Sequence, residues 1–476
     1  MPKKDAIPTS RISRSSKVGR LAATQAAKQM GTRATNVARG DEAREKALAK
    51  RQLETAEQIV AALGTMKGAA MKLGQVMSFL DVGLVPEEYR EEFQAKLAEL
   101  RDAAPKVSFK DMKKVIEGEY GEPIDEVFET FDPVPIAAAS IGQVYKARLR
   151  GPAPRGLAGR DVAVKVQYPG VAQAVRADMQ NLGIILRLMK MVAPGIDPKA
   201  MGDEIRSRID EELDYELEAQ NQRTLARLFR GHPFIFVPEV VTSLSREKVI
   251  VSEFVTGRGF EELKQLPQPE RDRLGEIVYR FYFGCMYRHH QFSGDPHPGN
   301  CLLLDDGRMA FLDFGLFKRI PREIAEFELE IQRIAATGDG QALIDHLHAG
   351  GFIARPELYT PEGILEQVHD MTWWYIDDEE VALTPEIATE VMIEMSDPRS
   401  SHFSKMRHET LPPDHLFGRR LEMLTLAVMS QLRARGNWHR IAREWIYGDL
   451  PATELGRLEA EFYAAHPPAA VLRGAA

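Results

Sequence analysis

Three polar residues late in the chain have the types and spacing that phosphate chemistry requires. Asp295 and Asn300 stand five apart in Phe292-Ser-Gly-Asp-Pro-His-Pro-Gly-Asn300, and Asp313 follows thirteen residues after Asn300 in Asp313-Phe-Gly315. Between them, Cys301-Leu-Leu-Leu304 and Arg308-Met-Ala-Phe-Leu312 flank Asp305-Asp-Gly307, a turn signal between two apolar runs. Moving a phosphoryl group from a nucleotide needs oxygen ligands that hold Mg²⁺ against the β- and γ-phosphates, and a carboxylate near the acceptor. A D-x-x-x-x-N loop, a short hairpin and D-F-G deliver those groups from one support. D-F-G alone occurs by chance; the two signatures at this spacing assign Asn300 and Asp313 to the metal and Asp295 to the acceptor.

Lys165 is the expected cationic partner. In Asp161-Val-Ala-Val-Lys-Val-Gln-Tyr168 the pattern alternates, with Val162, Val164 and Val166 on one face of a strand and Ala163, Lys165 and Gln167 on the other. A lysine so placed reaches the α- and β-phosphates, and a carboxylate from a helix must orient it. Glu211, Asp214, Glu218 and Asn221 recur at i, i+3, i+7 and i+10, one face of a helix, and offer that carboxylate. No G-x-G-x-x-G precedes Lys165. Its place is taken by Pro135-Ile-Ala-Ala-Ala-Ser-Ile-Gly-Gln143, whose alanines disfavour the positive φ angles of a glycine loop and predict a stiffer cover over the phosphates. No A-P-E follows Asp313-Phe-Gly315, and a helix is expected to start near Pro321, which leaves little room for a peptide substrate to dock.

The supporting elements read as a small strand-bearing region before a larger helical one, with a helical extension ahead of both. Helices are expected from Asp41 through Leu63, over Gly68 to Leu80, Glu87 to Leu100 and Ser108 to Gly118, then at 172–193 and 199–229; Lys248 to Val255 forms a second strand. With 476 residues, 44% hydrophobic and 28% charged, the chain has material for a sizeable core. Its two cysteines, Cys285 and Cys301, exclude a disulfide scaffold or a thiolate-rich zinc site. No apolar run is long enough to span a bilayer. Residues 1–40 hold nine basic side chains against the single Asp5, so the net charge of −8 conceals a more acidic remainder. That segment suits an anionic membrane surface, whereas the acidic body argues against nucleic acid.

Taken together these residues resemble the UbiB/AarF/ADCK family of atypical protein-kinase-like proteins, over about residues 20 to 450. The K-x-G-Q signature is Lys72, Gly74 and Gln75; the alanine-rich loop is Ala137, Ala138, Ala139 and Ser140; the E-x-D pair is Glu212 and Asp214, followed by the helix glutamate Glu218; and Lys165, Asp295, Asn300 and Asp313 complete the set. The resemblance implies an α+β, two-lobed protein-kinase-like fold with a small strand-bearing N-lobe, a large helical C-lobe and an N-terminal helical K-x-G-Q extension folded over the active site. Its expected divisions are a basic segment 1–40, the extension 41–125, the N-lobe 126–255, the C-lobe 256–450 and a tail 451–476. It further implies ATP or ADP with Mg²⁺ as cofactors, ATPase or phosphotransferase activity, and links to lipids and isoprenoid quinone biosynthesis. Glu253 and Val255 join the alanine loop and Lys165 as nucleotide-binding positions, with Lys165, Glu218 and Asp295 catalytic. Lys72 on an otherwise apolar helix requires a carboxylate, and Glu212 or Asp214 is the candidate. Expected partners are the nucleotide, an anionic membrane surface or a lipid or quinone precursor, and a biosynthetic complex, with a cytoplasmic location peripheral to the membrane.

Two other readings fit parts of the chain. Ser293 to Asn300 resembles the G-D-x-H-x-x-N loop of aminoglycoside- or choline-type kinases, but the K-x-G-Q and alanine signatures argue against that class. A nucleotide-switched scaffold or lipid-binding chaperone with little turnover needs the same Mg²⁺-nucleotide site. His289, His290 and His297 do not read as a metal set, Cys301 reads as a buried strand cysteine, and Trp373 and Trp374 read as helix packing.

Overall fold

The computed structural model describes residues 107–466 apart from 140, 153–156, 158, 178, 180–185, 187–198, 200–201, 204–205, 207–209, 395–408 and 410–411. The Lys72, Gly74 and Gln75 signature, the basic segment, the helices expected before residue 107 and Ser140 lie outside the described residues. The strands that concern the site are β1 (Phe128–Phe131), β2 (Ala137–Ala138), β3 (Gly142–Leu149), β4 (Asp161–Gln167), β5 (Ile235–Phe236), β6 (Val249–Glu253), β7 (Arg258–Gly259), β8 (Gln291–Ser293), β9 (Cys301–Leu303), β10 (Met309–Phe311) and β11 (Phe317–Arg319). The longer helices are α1 (Phe109–Tyr120), α2 (Tyr215–Leu228), α3 (Gln268–Tyr287), α4 (Arg322–Thr337), α5 (Gly340–Ala349), α6 (Pro361–Ile376), α7 (Pro385–Glu394), α8 (Pro413–Gln431), α9 (Trp438–Ile446) and α10 (Glu454–Ala465). Among the described residues no helix is long and apolar enough to cross a membrane.

The chain divides into two compact units. The first runs to Gly151 and resumes at Ala163–Asp214 and Arg246–Ile250; the second takes Pro152–Val162, Tyr215–Ser245 and Val251 onward. In the first, the sheet runs β1-β3-β4-β6 with β2 also on β3. Helix α1 starts where Ser108 Oγ accepts from Asp111 N at 3.3 Å, and it lays Phe109 against Phe131 and Tyr145, each at 5.6 Å. It passes through Gly118, where the sequence suggested an end, and stops at Gly121. That residue takes the left-handed φ of 73° and caps Glu117 O, a conformation glycine adopts at no steric cost.

The valine face of β4 is as expected: Val162, Val164 and Val166 are fully buried, and Lys165 is half-buried. Gln167, on the lysine face by parity, is buried as well. Its Nε2 donates to Leu213 O at 2.7 Å and Glu247 O at 3.3 Å. The first of these bonds has a consequence for the carboxylate stripe. A helix through 199–229 would use Leu213 O internally; the carbonyl is instead taken by a side chain, and the chain breaks at 213–214 before α2 begins at Tyr215. Glu218 and Asn221 therefore share a buried helical face, whereas Glu211 and Asp214 precede that helix.

The second unit is built on α3, whose side chains are buried on most of its circumference from Leu274 to Met286. Such a helix has no solvent face to present and sits inside the core. Phe281 stacks on Phe311 of β10, with centroids 3.7 Å apart and planes 11° from parallel. Trp374, on α6, is buried edge-on to Tyr279 at 5.7 Å, the packing role expected of it. Arg280, also fully buried, reaches Glu276 at 2.6 Å, Glu444 at 2.7 Å, Glu459 at 3.0 Å and Thr453 Oγ1 at 3.0 Å, and so fastens α9 and α10 to α3.

Candidate functional site

The two signature loops hang from one frame of strands in the second unit. β8 and β11 pair antiparallel with Ser293 opposite Phe317, and β9 and β10 pair antiparallel with Cys301 opposite Phe311. Loop 294–300 and loop 312–316 therefore start and finish on the same two strand pairs. β10 also runs parallel to β5, and β9 antiparallel to β7, which stiffens that end of the frame. The hairpin turn is where Asp305-Asp-Gly307 placed it. Gly307 has φ 82°, the left-handed conformation that suits glycine there, and Leu304 N donates to Arg308 O at 2.9 Å.

Bonds between the loops fix their spacing. Gly294 N donates to Leu316 O at 2.7 Å, Leu312 N to Asn300 O at 3.0 Å, and Ser293 Oγ to Asp313 O at 3.2 Å. Asn300 Nδ2 points at Asp295 O, 3.5 Å away, which leaves the amide Oδ1 directed elsewhere. Asp313 Oδ1 accepts from Gly315 N at 3.0 Å, so the carboxylate is held by its own turn. Asp295, Asn300 and Asp313 are all half-buried. The structure thus brings together the three residues that spacing singled out.

Glu218 joins them. It is 3% exposed on α2, and a β-carbon built on Gly315 would lie 3.4 Å from Glu218 Oε2 and 3.5 Å from Asp313 Oδ1. Two carboxylates therefore converge beside Gly315. Asn221, one turn on, accepts from Arg319 Nη2 at 3.5 Å and links α2 to β11.

The remaining expected residues sit as follows. Lys165 lies on β4, and it falls in the first unit together with Glu212, which is buried, and Asp214. The alanine loop is the tip of a β-hairpin: Ala137 pairs Val144, Ala138 pairs Gln143, and Ala139 N donates to Gly142 O at 2.8 Å. Among the described residues only His290 and Arg433 combine positive φ with a side chain, so Ala137, Ala138 and Ala139 all avoid the positive φ a glycine loop would use. Glu253 ends β6, with its N–H on Glu239 O at 2.8 Å, and Val255 follows it half-buried.

Arg420, on α8, was not singled out by sequence spacing. Its Nη2 lies 2.9 Å from Asp295 Oδ1, and its Nε donates to Gly294 O at 2.9 Å. The chain distance of 125 residues hides this contact, because no local pattern marks an arginine on a distant helix.

The histidines and cysteines near the loops make structural contacts. His289 meets Tyr463 Oη at 2.8 Å, and burial, with Arg288 adding to it, pushes its imidazole down to about 4. His297 accepts from Gly299 N at 3.0 Å to cap the short turn before Asn300. Burial pushes the Cys301 thiol up to about 12, so it stays protonated in the strand. Among the described residues no cluster of three or more His, Cys, Asp or Glu side chains could hold a metal alone.

Residues 99–347 match the family described as ABC1 atypical kinase-like domain. The mitochondrial atypical kinase coq-8 of Caenorhabditis elegans is 30% identical over 319 residues, which cover 66% of this chain and 40% of that protein. The chloroplastic protein ACTIVITY OF BC1 COMPLEX KINASE 8 of Arabidopsis thaliana is 34% identical over 270 residues, 55% of this chain and 34% of that one. The chain thus spans less than half the length of these curated relatives. Among solved structures, Rv3197 of Mycobacterium tuberculosis, in complex with erythromycin, aligns with a TM-score of 0.60 at 30% identity, covering 85% of this chain and 99% of that one. The neighbour and the matched domain together make the fold a kinase-like mixture of helices and strands.

Proposed function

The chain belongs to the ABC1 atypical kinase-like family, and from that premise we propose that it binds Mg²⁺-nucleotide and either hydrolyses ATP or transfers its γ-phosphate to a small or lipidic acceptor. The observation that carries this reading is the strand frame: it holds Asp295 and Asn300 on one loop and Asp313 on the other, with Glu218 beside them. Asp295 orients the acceptor hydroxyl or water toward the γ-phosphorus. A bond forms from that oxygen to the γ-phosphorus as the bond to the β–γ bridging oxygen breaks, the acceptor's proton passes to Asp295 and on to solvent, and ADP departs. The resemblance to this family gives Lys165 the task of holding the α- and β-phosphates and Glu218 that of orienting it. The resemblance adds Ala137, Ala138, Ala139, Ser140, Glu253 and Val255 as nucleotide-binding positions.

The donor set suits a hard cation shared with phosphate. Asn300 Oδ1 and Asp313 offer oxygen only, the ligand type a hard divalent cation takes. Mg²⁺ so held would neutralise charge on the β- and γ-phosphates. The resemblance gives Lys72, Gly74 and Gln75, with Glu212 and Asp214, the role of a regulatory extension. The resemblance to this family supports a role in isoprenoid quinone or lipid metabolism, and the basic segment 1–40 supports contact with an anionic membrane.

ATP turnover by the purified chain with Mg²⁺, with and without anionic liposomes and a phenolic quinone-precursor mimic, tests the reading. Turnover that the additives stimulate and that Glu218→Gln lowers is expected. Nucleotide binding without turnover in every condition contradicts it and favours a nucleotide-switched scaffold.

A further inference from the structure

Helix α8 carries two adjacent arginines that point to different tasks. Arg419 turns into the core. Its Nη2 lies 2.8 Å from Glu328 Oε2 on α4, and its Nη1 lies 3.3 Å from Glu422 Oε2. His415 Nδ1 shares Glu328 at 2.6 Å, and Tyr287 Oη donates to Glu422 at 3.2 Å. Burial pushes the Glu328 carboxyl up, but Arg419 and His415 outweigh it and hold the group below its ordinary range, charged against the arginine. Such a network fixes the rotation of α8 about its own axis. Arg420 follows about 100° round the helix, so its direction of departure is set by its neighbour.

That direction leads to the acceptor loop. Arg420 donates through Nε to Gly294 O and through Nη2 to Asp295 Oδ1, both at 2.9 Å, with its side chain 11% exposed and that of Asp295 17%. Gly294 is already tied on its other edge to Leu316 O at 2.7 Å, one residue past Asp313-Phe-Gly315. The planar guanidinium therefore clamps a main-chain carbonyl and a carboxylate at once, a task a lysine ammonium performs only in part.

We propose that Arg420 is the positioning residue for Asp295: it fixes the loop through Gly294, fixes one carboxylate oxygen, and presents the other oxygen to the acceptor. The inference rests on the reading of Asp295 as the acceptor-orienting group. It also gives an electrostatic reason for the clamp. A carboxylate beside a triphosphate repels it, and a guanidinium within 3 Å of that carboxylate cancels most of its field at the phosphates. The arginine thus lets the loop keep a carboxylate near the reacting phosphorus.

The test compares the full chain with Arg420→Ala and Arg420→Lys, measuring the Kd for Mg²⁺-ATP, kcat and the melting temperature, with guanidinium ion added at millimolar concentration to the alanine variant. A misplaced acceptor group costs on the order of 100-fold in rate. Arg420→Ala is therefore expected to lose about that much kcat while its Mg²⁺-ATP Kd moves less than about threefold. Arg420→Lys recovers part of the loss, and guanidinium ion partly rescues the alanine variant. A folded Arg420→Ala chain with kcat within about threefold of wild type overturns the inference and leaves the functional reading standing. Losses of kcat, affinity and melting temperature in step, without rescue, also overturn it, since they mark a structural role only. A wild-type chain that turns over no ATP overturns the functional reading itself, and the inference with it.

Discussion

Arg280 and Arg420 sit in the same unit, and both reach carboxylates far along the chain, yet they are used differently. Arg280 is fully buried and surrounded by Glu276, Glu444 and Glu459, with Thr453 on a further nitrogen. Everything it touches belongs to helices α3, α9 and α10 or the turn before α10, and its charge is consumed in joining them. Arg420 keeps some exposure and grips a loop, through Gly294 O and Asp295. The loop it grips also carries Asn300 and faces Asp313 across paired strands. Charge neutralised among helices joins those helices, whereas charge neutralised on a loop holds that loop beside further oxygen donors.

The comparison breaks most visibly at the clasp. Arg280→Ala leaves Glu444 and Glu459 buried without their shared cation, and removing one partner of a buried ion pair costs about 3–5 kcal/mol. Chemical denaturation should record a loss of that size, and a loss under about 1 kcal/mol would show that the clasp is not structural.

Acid reaches the same region through its histidines. Burial pushes His232 down to about 3 and His289 down to about 4, so both are neutral in the folded chain. Between the ordinary histidine value near 6.5 and about 4 the unfolded chain binds more protons than the folded one. Stability contributed by these groups is therefore complete above about pH 6.5 and falls as the pH is lowered through that window, by at most about 3 kcal/mol for His289. Melting curves should show wild type losing more than His289→Gln on acidification, and parallel losses would refute the assignment.

The smallest effect separates distance from burial. Lys248 lies 2.6 Å from Glu119, as close as Arg280 lies to Glu276, but its side chain is 44% exposed. Exposed pairs contribute about 0–1 kcal/mol, so Lys248→Met should shift stability by no more than that. A cost matching that of Arg280→Ala would remove burial as the deciding factor.

What the sequence disclosed follows the same division. The Asp295–Asn300 loop, the Asp305-Asp-Gly307 turn, Asp313-Phe-Gly315 and the alternating β4 were legible, because each is specified by residues a few positions apart. The break at 213–214 was not, because it depends on Gln167 donating to Leu213 O across the fold. Gly118 looked like a helix end, but the left-handed cap forms at Gly121, where the Glu117 carbonyl needs a partner. The grip of Arg420 on Asp295 had no local signature at all. Long-range polar pairs are set by tertiary geometry, and a single sequence carries no spacing that encodes them.

The central claim is that loops 294–300 and 312–316 form a metal-nucleotide site whose acids serve a ligand rather than the fold. The most direct measurement is the melting temperature of wild type and Asp313→Asn with and without Mg²⁺-ATP, since a ligand that binds the folded state raises it. The account predicts nearly equal melting temperatures without nucleotide, a clear rise for wild type when Mg²⁺-ATP is added, and no rise for Asp313→Asn. An equal rise in both proteins would contradict it.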